Sequence, residues 1–579
     1  SSTNTFSGAA TTLPTLPSTV TISPSTLAMT IEPFTARLIQ LLIGQNSDVM
    51  VSNTAVSGTI SINAPITINY TAPTNTLYSS LTFNANTINI NKPITSYYGY
   101  SIGGIVEFQA LNINAPPLST PSTPLVQARY VRFNRSGYTI DTTTPGAFSI
   151  TAPIYGDYET HFIGKNNTEL TLGTSPDDPT MSNLYNSSNI FFNTVSINGS
   201  SLTLQRNSNA SGGARITRLY FYNTQVATGS TVTLSNQDPN WILPIFGSYA
   251  DTKTGRSYGG DGTPSINFLG SGGTLTITSV TTASPVSSDY STDSSKIPAG
   301  SPGIALNSLI IDNPGTTKLT HIGIIGAGGS SYDFSINNAN TGILNLIGNL
   351  IPIPVVTTPA SPNNGMPTLS IGGTVTTTSD GTTPANGTIR GGSISLGTSS
   401  SPFQYTTASS SLTIVAANGM TVPSGAVAKN TLSTNTLILS SPSLAIEGIL
   451  QTFGILTLSS PSISILSSGV LESNGGAINL EGATSNAPTN IFSAGGLLTF
   501  RGSGATLSIA SGSTLTFASS PNNFLSVQEN PGTDLQNLDP SATQTLALAG
   551  NAGTPSSITI TQEATGSPIT FNHSIFSPL

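Results

Sequence analysis

The stretch ISINAPITI, residues 60 to 68, constrains this chain most, because it is written again with small changes as ININKPI at 88 to 94, LNINAPP at 111 to 117 and FSITAPI at 148 to 154. An apolar residue at every second position puts the Ile side chains on one face of a strand. A strand that recurs in this form is expected to return to the same place in a stack, inward Ile over inward Ile, with Asn-Ala-Pro turning the corner. The second half repeats the idea: LILSSPSLAI at 437 to 446 and LTLSSPSISI at 456 to 465 align without gaps, 19 residues apart. The apolar-x-apolar pair extends in both directions as Ile394/Leu396, Leu412/Ile414, Leu437/Leu439, Leu456/Leu458, Ile478/Leu480 and Leu498/Phe500, in steps of 18, 25, 19, 22 and 20 residues. Short strands separated by turns fit this spacing and helical repeats do not. Gly, Asn, Ser and Pro fill the gaps, as in SNGG and RGSG, where turns need them.

These features predict an all-β chain, a parallel β-helix (β-solenoid) with insertions and extended terminal segments. The text TISINAPITINYTAPTNTLYSSLTFNANTININKPIT resembles the repeats of filamentous-haemagglutinin-type adhesins and related autotransporter passengers. The likeness lies in repeat texture and covers residues 56 to 154 and, more loosely, 370 to 520. It implies a right-handed parallel β-helix, bacterial secretion and an extracellular, cell-surface location.

Six segments follow from the pattern: an arm at 1–30, a capping segment at 31–55, solenoid at 56–124, solenoid with excursions or an inserted domain at 125–300, solenoid at 301–528, and a strand-rich end at 529–579. The first 26 residues hold 14 Ser or Thr with Pro14, Pro17 and Pro24, which reads as an extended arm. In IEPFTARLIQLLIG, Phe34, Leu38, Leu41 and Leu42 share one helical face behind Pro33, so a short helix or one further strand is expected to close the end of the stack. Leu125 to Ser265 carries 18 of the 40 charged residues and 17 of the 39 aromatics, so specific contacts are expected there if anywhere.

Only 7% of residues are charged and the formal net charge is −8, which argues against nucleic acid as a partner. There are no cysteines, so stability must come from burial and hydrogen-bonded ladders. The SSTNTFSGAA start reads as a processed N-terminus without a leader. The most apolar run, Gly342 to Val356, is too short to span a bilayer and is broken by Pro352 and Pro354.

Catalytic chemistry finds little to work with, and the chain reads as a non-enzyme without cofactor or metal. The adjacent acids Asp177-Asp178 sit in a turn-like TSPDDPT, where a solvated turn is the plainer reading than a carboxylate pair. His161, His321 and His573 are far apart in sequence, and DTKTGRSYGGDG at 251 to 262 lacks the closing Glu of a calcium loop. ARYVRFNRSGY interleaves Arg129, Arg132 and Arg135 with Tyr130, Phe133 and Tyr138. With Trp241, the residues Arg129, Tyr130, Arg132, Phe133 and Arg135 form the candidate binding set, suited to sugar rings or an acidic surface. An edge strand using charge to prevent pairing is the structural alternative. Of the Asn-x-Ser/Thr sequons, Asn134, Asn166, Asn186, Asn198 and Asn209 cluster and are the glycosylation candidates.

The expected function is that of an extracellular structural protein, a self-assembling subunit of a filament, sheath or coat. Its expected partner is its own copy, through strand exchange by a terminal segment or end-to-end stacking. The alternative is an adhesin that binds a glycan or a partner cell through residues 125 to 265.

Overall fold

The computed structural model describes residues 18 to 562 apart from interior stretches, of which 71–78, 207–215, 280–302, 354–367, 528–544 and 549–556 are the longest. Residues 1–17 of the expected arm, the segment 563–579, Asn209, His573, the His321 side chain and most of the 251–262 loop lie outside the described residues. Among the described residues the chain is all-β apart from one helix, Pro33–Gly44, and nearly all strand pairing is parallel. Two units divide the chain, Ser1–Val195 and Ser196–Leu579.

In the first unit the strands form three parallel ladders. The first runs from Thr19–Ile22 through Asp48–Asn53 and the opening halves of Ser80–Ile90 and Ile105–Ala115 to the end of Val126–Asn134 and the middle of Ile154–Leu172. The second joins Ala28–Ile31, Thr59–Ile62, the later halves of Ser80–Ile90 and Ile105–Ala115, Ala147–Ile150, and the end of Ile154–Leu172. The third holds Ile66–Tyr70, Ile94–Tyr98 and the starts of Val126–Asn134 and Ile154–Leu172. The chain visits the ladders in that order at every repeat.

Thus the recurring Ile text does return to one place: Ile60 faces Ile88, which faces Ile113, which faces Phe148. The outward positions match too, with the Asn114 amide donating to Asn89 Oδ1 at 2.8 Å and the Asn91 amide donating to Asn63 Oδ1 at 2.9 Å. Part of the expected arm is folded into this scheme. Thr19–Ile22 and Ala28–Ile31 pair with later strands of the same chain, because Val20, Ile22, Met29 and Ile31 continue the inward alternation.

The helix comes where a third-ladder strand would follow Ala28–Ile31, and it packs against Ile66–Tyr70, the first strand of that ladder. It seats Ala36, Ile39 and Ile43, not the face that sequence periodicity singled out. Phe34, Leu38 and Leu41 stand 83%, 39% and 52% exposed. The helix is apolar on both sides, and the side carrying small Ala36 and two Ile approaches the strands.

In the second unit three ladders are again legible between 436 and 527. Leu437, Leu456, Ile478 and Leu507 share one backbone register, Leu444, Ile463, Ile491 and Leu515 the next, and Leu450, Leu471, Leu498 and Leu525 the third. Two sequence alignments shift accordingly: Leu498 lies on Leu471 rather than Ile478, and Ile394 lies on Met420 while Leu412 pairs with Gly387. Apolar-x-apolar pairs occur in all three strands of a repeat, so sequence alone cannot say which pair belongs to which ladder. At one corner Gly454 stands where a Cβ would meet Leu432 O at 2.3 Å, and Gly476 where it would meet Gly454 O at 2.2 Å, so only glycine fits these successive repeats.

The first unit's core carries one continuous aromatic column. Phe83, Phe108, Phe133, Phe162 and Phe192 stack with ring centroids 5.5, 5.4, 5.3 and 5.5 Å apart. All five are buried. Phe133→Ala removes the middle ring and leaves a cavity that two flanking rings cannot fill, at a cost of about 3–5 kcal/mol. Chemical denaturation followed by tryptophan-independent far-UV circular dichroism is expected to show that loss in the midpoint.

Candidate functional site

Val126–Asn134 carries most of the sequence-derived candidates, and its place in the ladders decides what each can do. Ile105–Ala115 lies on one side and Ile154–Leu172 on the other, so this is an interior strand and not an edge. Val131 and Phe133 point into the core. The opposite face is also covered: Glu107, Arg132 and His161 stand in register on three successive strands, and all are buried. His161 Nε2 lies 2.8 Å from Glu159 Oε2, and its ring stacks on Phe191 at 4.0 Å. Glu107 Oε1 in turn accepts from the side-chain amides of Gln109 at 3.1 Å and Asn134 at 2.7 Å.

A register irregularity between Ala128 and Tyr130 brings Arg129 toward the surface, its guanidinium 5.5 Å from the Tyr158 ring and 6.0 Å from that of Tyr130. Arg129 is half-buried, Tyr130 buried, and Arg132 lies 6.0 Å from the Tyr130 ring. Of the ARYVRFNRSGY set, Arg129 and the neighbouring Tyr158 therefore reach the surface, while Phe133 and Arg135 are interior.

Arg135 organises the loop after the strand. Its guanidinium donates to the carbonyl oxygens of Tyr138 at 3.0 Å, Asp141 at 2.6 Å and Thr144 at 2.8 Å. Burial pulls its pKa below the usual value, with Asp141 and Tyr138 acting in the other direction. At the far side of the loop the Asp141 carboxylate accepts from Thr143 N, Thr143 Oγ1 and Thr144 N. Hydrogen bonds led by the Thr144 side chain hold this exposed carboxyl well below the usual carboxylate range.

The second unit contains the other candidate. Trp241 is 37% exposed, and the Arg206 guanidinium lies 5.4 Å from its ring centroid. Arg206 Nε is 3.3 Å from Asp238 Oδ2, and its NH1 donates to Ile216 O at 3.2 Å. Asn236 fixes the turn: its Oδ1 accepts from Asp238 N at 2.9 Å and its amide donates to Trp241 O at 2.7 Å. The result is a partly exposed indole beside a buried ion pair, a flat apolar platform of the kind on which a sugar ring stacks.

Asn236 belongs to a device that sequence reading missed. Asn53, Asn236 and Asn313, each at or just past a strand end, accept from the backbone N–H two residues on, Ala55, Asp238 and Gly315, while the amide reaches a carbonyl of another repeat, Leu27, Gly303 and Gly273. The signal available was Asn at the end of an alternating run, two residues before a turn.

The sequons differ in access. The Asn134 amide is buried and donates to Glu107 Oε1 at 2.7 Å, which takes it out of reach in the folded chain. Asn166 is exposed, with φ 55° and its amide donating to Thr142 O and Thr143 O. Asn186 is half-buried and Asn198 exposed. Asp177 and Asp178 cap a turn: Asp177 Oδ2 accepts from Tyr185 Oη at 2.6 Å, and Asp178 Oδ1 accepts from Thr180 N and Oγ1. Burial, then the hydrogen bond to Asp177, pushes the Tyr185 hydroxyl up to about 12. Among the described residues no group of three His, Asp or Glu is placed to hold a metal, and no helix is long and apolar enough to cross a membrane.

No family model, curated protein or solved structure matches the chain.

Two outcomes follow from the Arg135 loop. Arg135→Ala strands three carbonyls that the guanidinium now satisfies, and at about 1 kcal/mol or more for each lost partner the melting temperature drops by several degrees. Asp141 has a depressed folded pKa, so its contribution is complete above the unfolded value of about 3.9 and fades as pH falls toward the folded one. Asp141→Asn is accordingly expected to melt below the parent chain at pH 7 and at pH 5, with the gap closing only in stronger acid than about pH 3.9; melting curves at pH 7, 5 and 3 test this.

Proposed function

We propose that the chain is an extracellular structural protein, a right-handed β-solenoid that serves as the self-assembling subunit of a filament, sheath or coat. The observation that carries this reading is the like-on-like register. Three parallel ladders are visited in fixed order within each unit, which is how a solenoid winds. Each repeat then advances by about 4.8 Å, so length comes at little cost in new design. Sparse charge and a face of Ser, Thr and Asn suit a building element better than a reaction centre, and the same traits suit life outside the cell. The repeat texture shared with secreted bacterial adhesins points the same way.

The second reading is an adhesin, favoured by the Trp241 platform on Arg206 and Asp238 and by the Arg129–Tyr158 pair. Sugar recognition there needs no catalytic group, only a rigid ring and polar neighbours.

Electron microscopy of the purified chain separates the two. Regular filaments or sheets are the expected result. Monodisperse particles at all concentrations defeat the structural reading and put the adhesin first. In that case Trp241→Ala is expected to abolish saturable glycan binding on an array while leaving the circular dichroism spectrum unchanged.

A further inference from the structure

The N-terminal margin of the first unit's ladders differs from their interior in three independent ways. Three of the four inward side chains of the first strands are only half covered: Val20, Ile22 and Met29 are partly exposed while Ile31 is buried, and the register partners Val49, Val51 and Ile60 are 1%, 0% and 0% exposed. Next, among the described residues Thr19–Ile22 pairs on one side only, with Asp48–Val51, and carries neither charge nor proline to block its other edge. Last, the helix beside it turns Phe34, Leu38 and Leu41 outward.

An open core layer, an unblocked strand edge and an apolar helix stripe ask for an occupant that brings apolar side chains and a strand edge together. Charge narrows the choice. Residues 18 to 44 contain one acid, Glu32, and one base, Arg37, so this margin is neutral in a chain of formal net charge −8. Across a twofold axis Glu32 of each copy can approach Arg37 of the other. A strand edge is also self-complementary in the antiparallel sense, which is what an isologous contact needs.

We infer that this margin is an interface between two copies of the chain, formed head to head about a twofold axis, with Leu38 at its centre. The inference rests on the self-assembly proposed above and assigns it a place. It makes the dimer the unit from which any larger assembly grows.

The absence of native cysteine allows a clean test. Full-length chain carrying Leu38→Cys is oxidised mildly, beside a Leu269→Cys control at a surface position of similar exposure, 38% against 39%. The expected product is a covalent dimer of twice 59.2 kDa from the first variant and none from the control. Sedimentation of Leu38→Glu and of Phe34→Glu is expected to show a dissociation constant raised about tenfold or more, as for an interface centre, with an unchanged melting curve. If the parent chain assembles but Leu38→Cys gives no dimer and the Glu variants assemble normally, the interface is elsewhere and self-assembly stands. If the parent chain is monomeric at every concentration, both the interface and the structural reading fall.

Discussion

Parallel stacking of like on like is the interaction on which the rest of the structure depends. A side chain that packs over its counterpart one repeat earlier removes apolar surface on both sides of every layer at once, so each Ile, Leu or Phe is covered by neighbours of its own kind. The aromatic column from Phe83 to Phe192 makes this visible, because its spacing of 5.3 to 5.5 Å holds across five strands without a break. A shift of one residue in any strand would turn its whole inward set outward. Register is thus fixed locally, by the preceding repeat, and the backbone hydrogen bonds come with it.

What such ladders cannot supply is their own corners. Backbone groups that leave a strand at a buried bend need partners, and here side-chain amides provide them. Asn53, Asn236 and Asn313 each close a turn with Oδ1 and bind a carbonyl of another repeat with the amide. Arg135 does the same on a larger scale, gathering three carbonyls of one loop. Glycine solves the opposite problem, where a carbonyl comes too near for any Cβ, as at Gly454 and Gly476. The buried row Glu107, Arg132 and His161 fits the same logic, since buried polar side chains need partners, as Glu107 finds in the amides of Gln109 and Asn134 and His161 in Glu159.

The strand content and the parallel return of the repeats were legible because period-2 alternation with a fixed recurrence has few other physical readings. Assignment of pairs to ladders was not, because Leu-x-Leu looks alike in all three strands of a repeat, so that Ile394 and Leu498 match by spacing a strand adjacent to the one they pair with, Met420 and Leu471 being their partners. The ARYVRFNRSGY segment misled for a related reason. Alternation marks two faces but does not say that both are buried, so Arg132 and Arg135 read as surface groups until the neighbouring strands were in place. Trp241 stood out by rarity, whereas Arg206, whose guanidinium lies against its ring and binds the nearby Asp238, is 35 residues upstream and carried no local signal.

A ladder of this kind has a thermodynamic defect wherever it stops, since the last layer keeps half of its apolar surface and one row of backbone groups unpaired. Proteins answer with a cap, with charge, or with a partner. Pro33–Gly44 answers for one of the three ladders only, by placing Ala36, Ile39 and Ile43 against Ile66–Tyr70. It is a cap whose own outer face still shows Phe34, Leu38 and Leu41 to water, with Arg37 among them. Beside it, Val20 and Ile22 remain half covered and the strand they belong to has no charged residue. A margin under selection to stay solitary would carry lysine or proline at these places, and this one carries Thr, Val and Ile. The residue choice is the opposite of what prevents association.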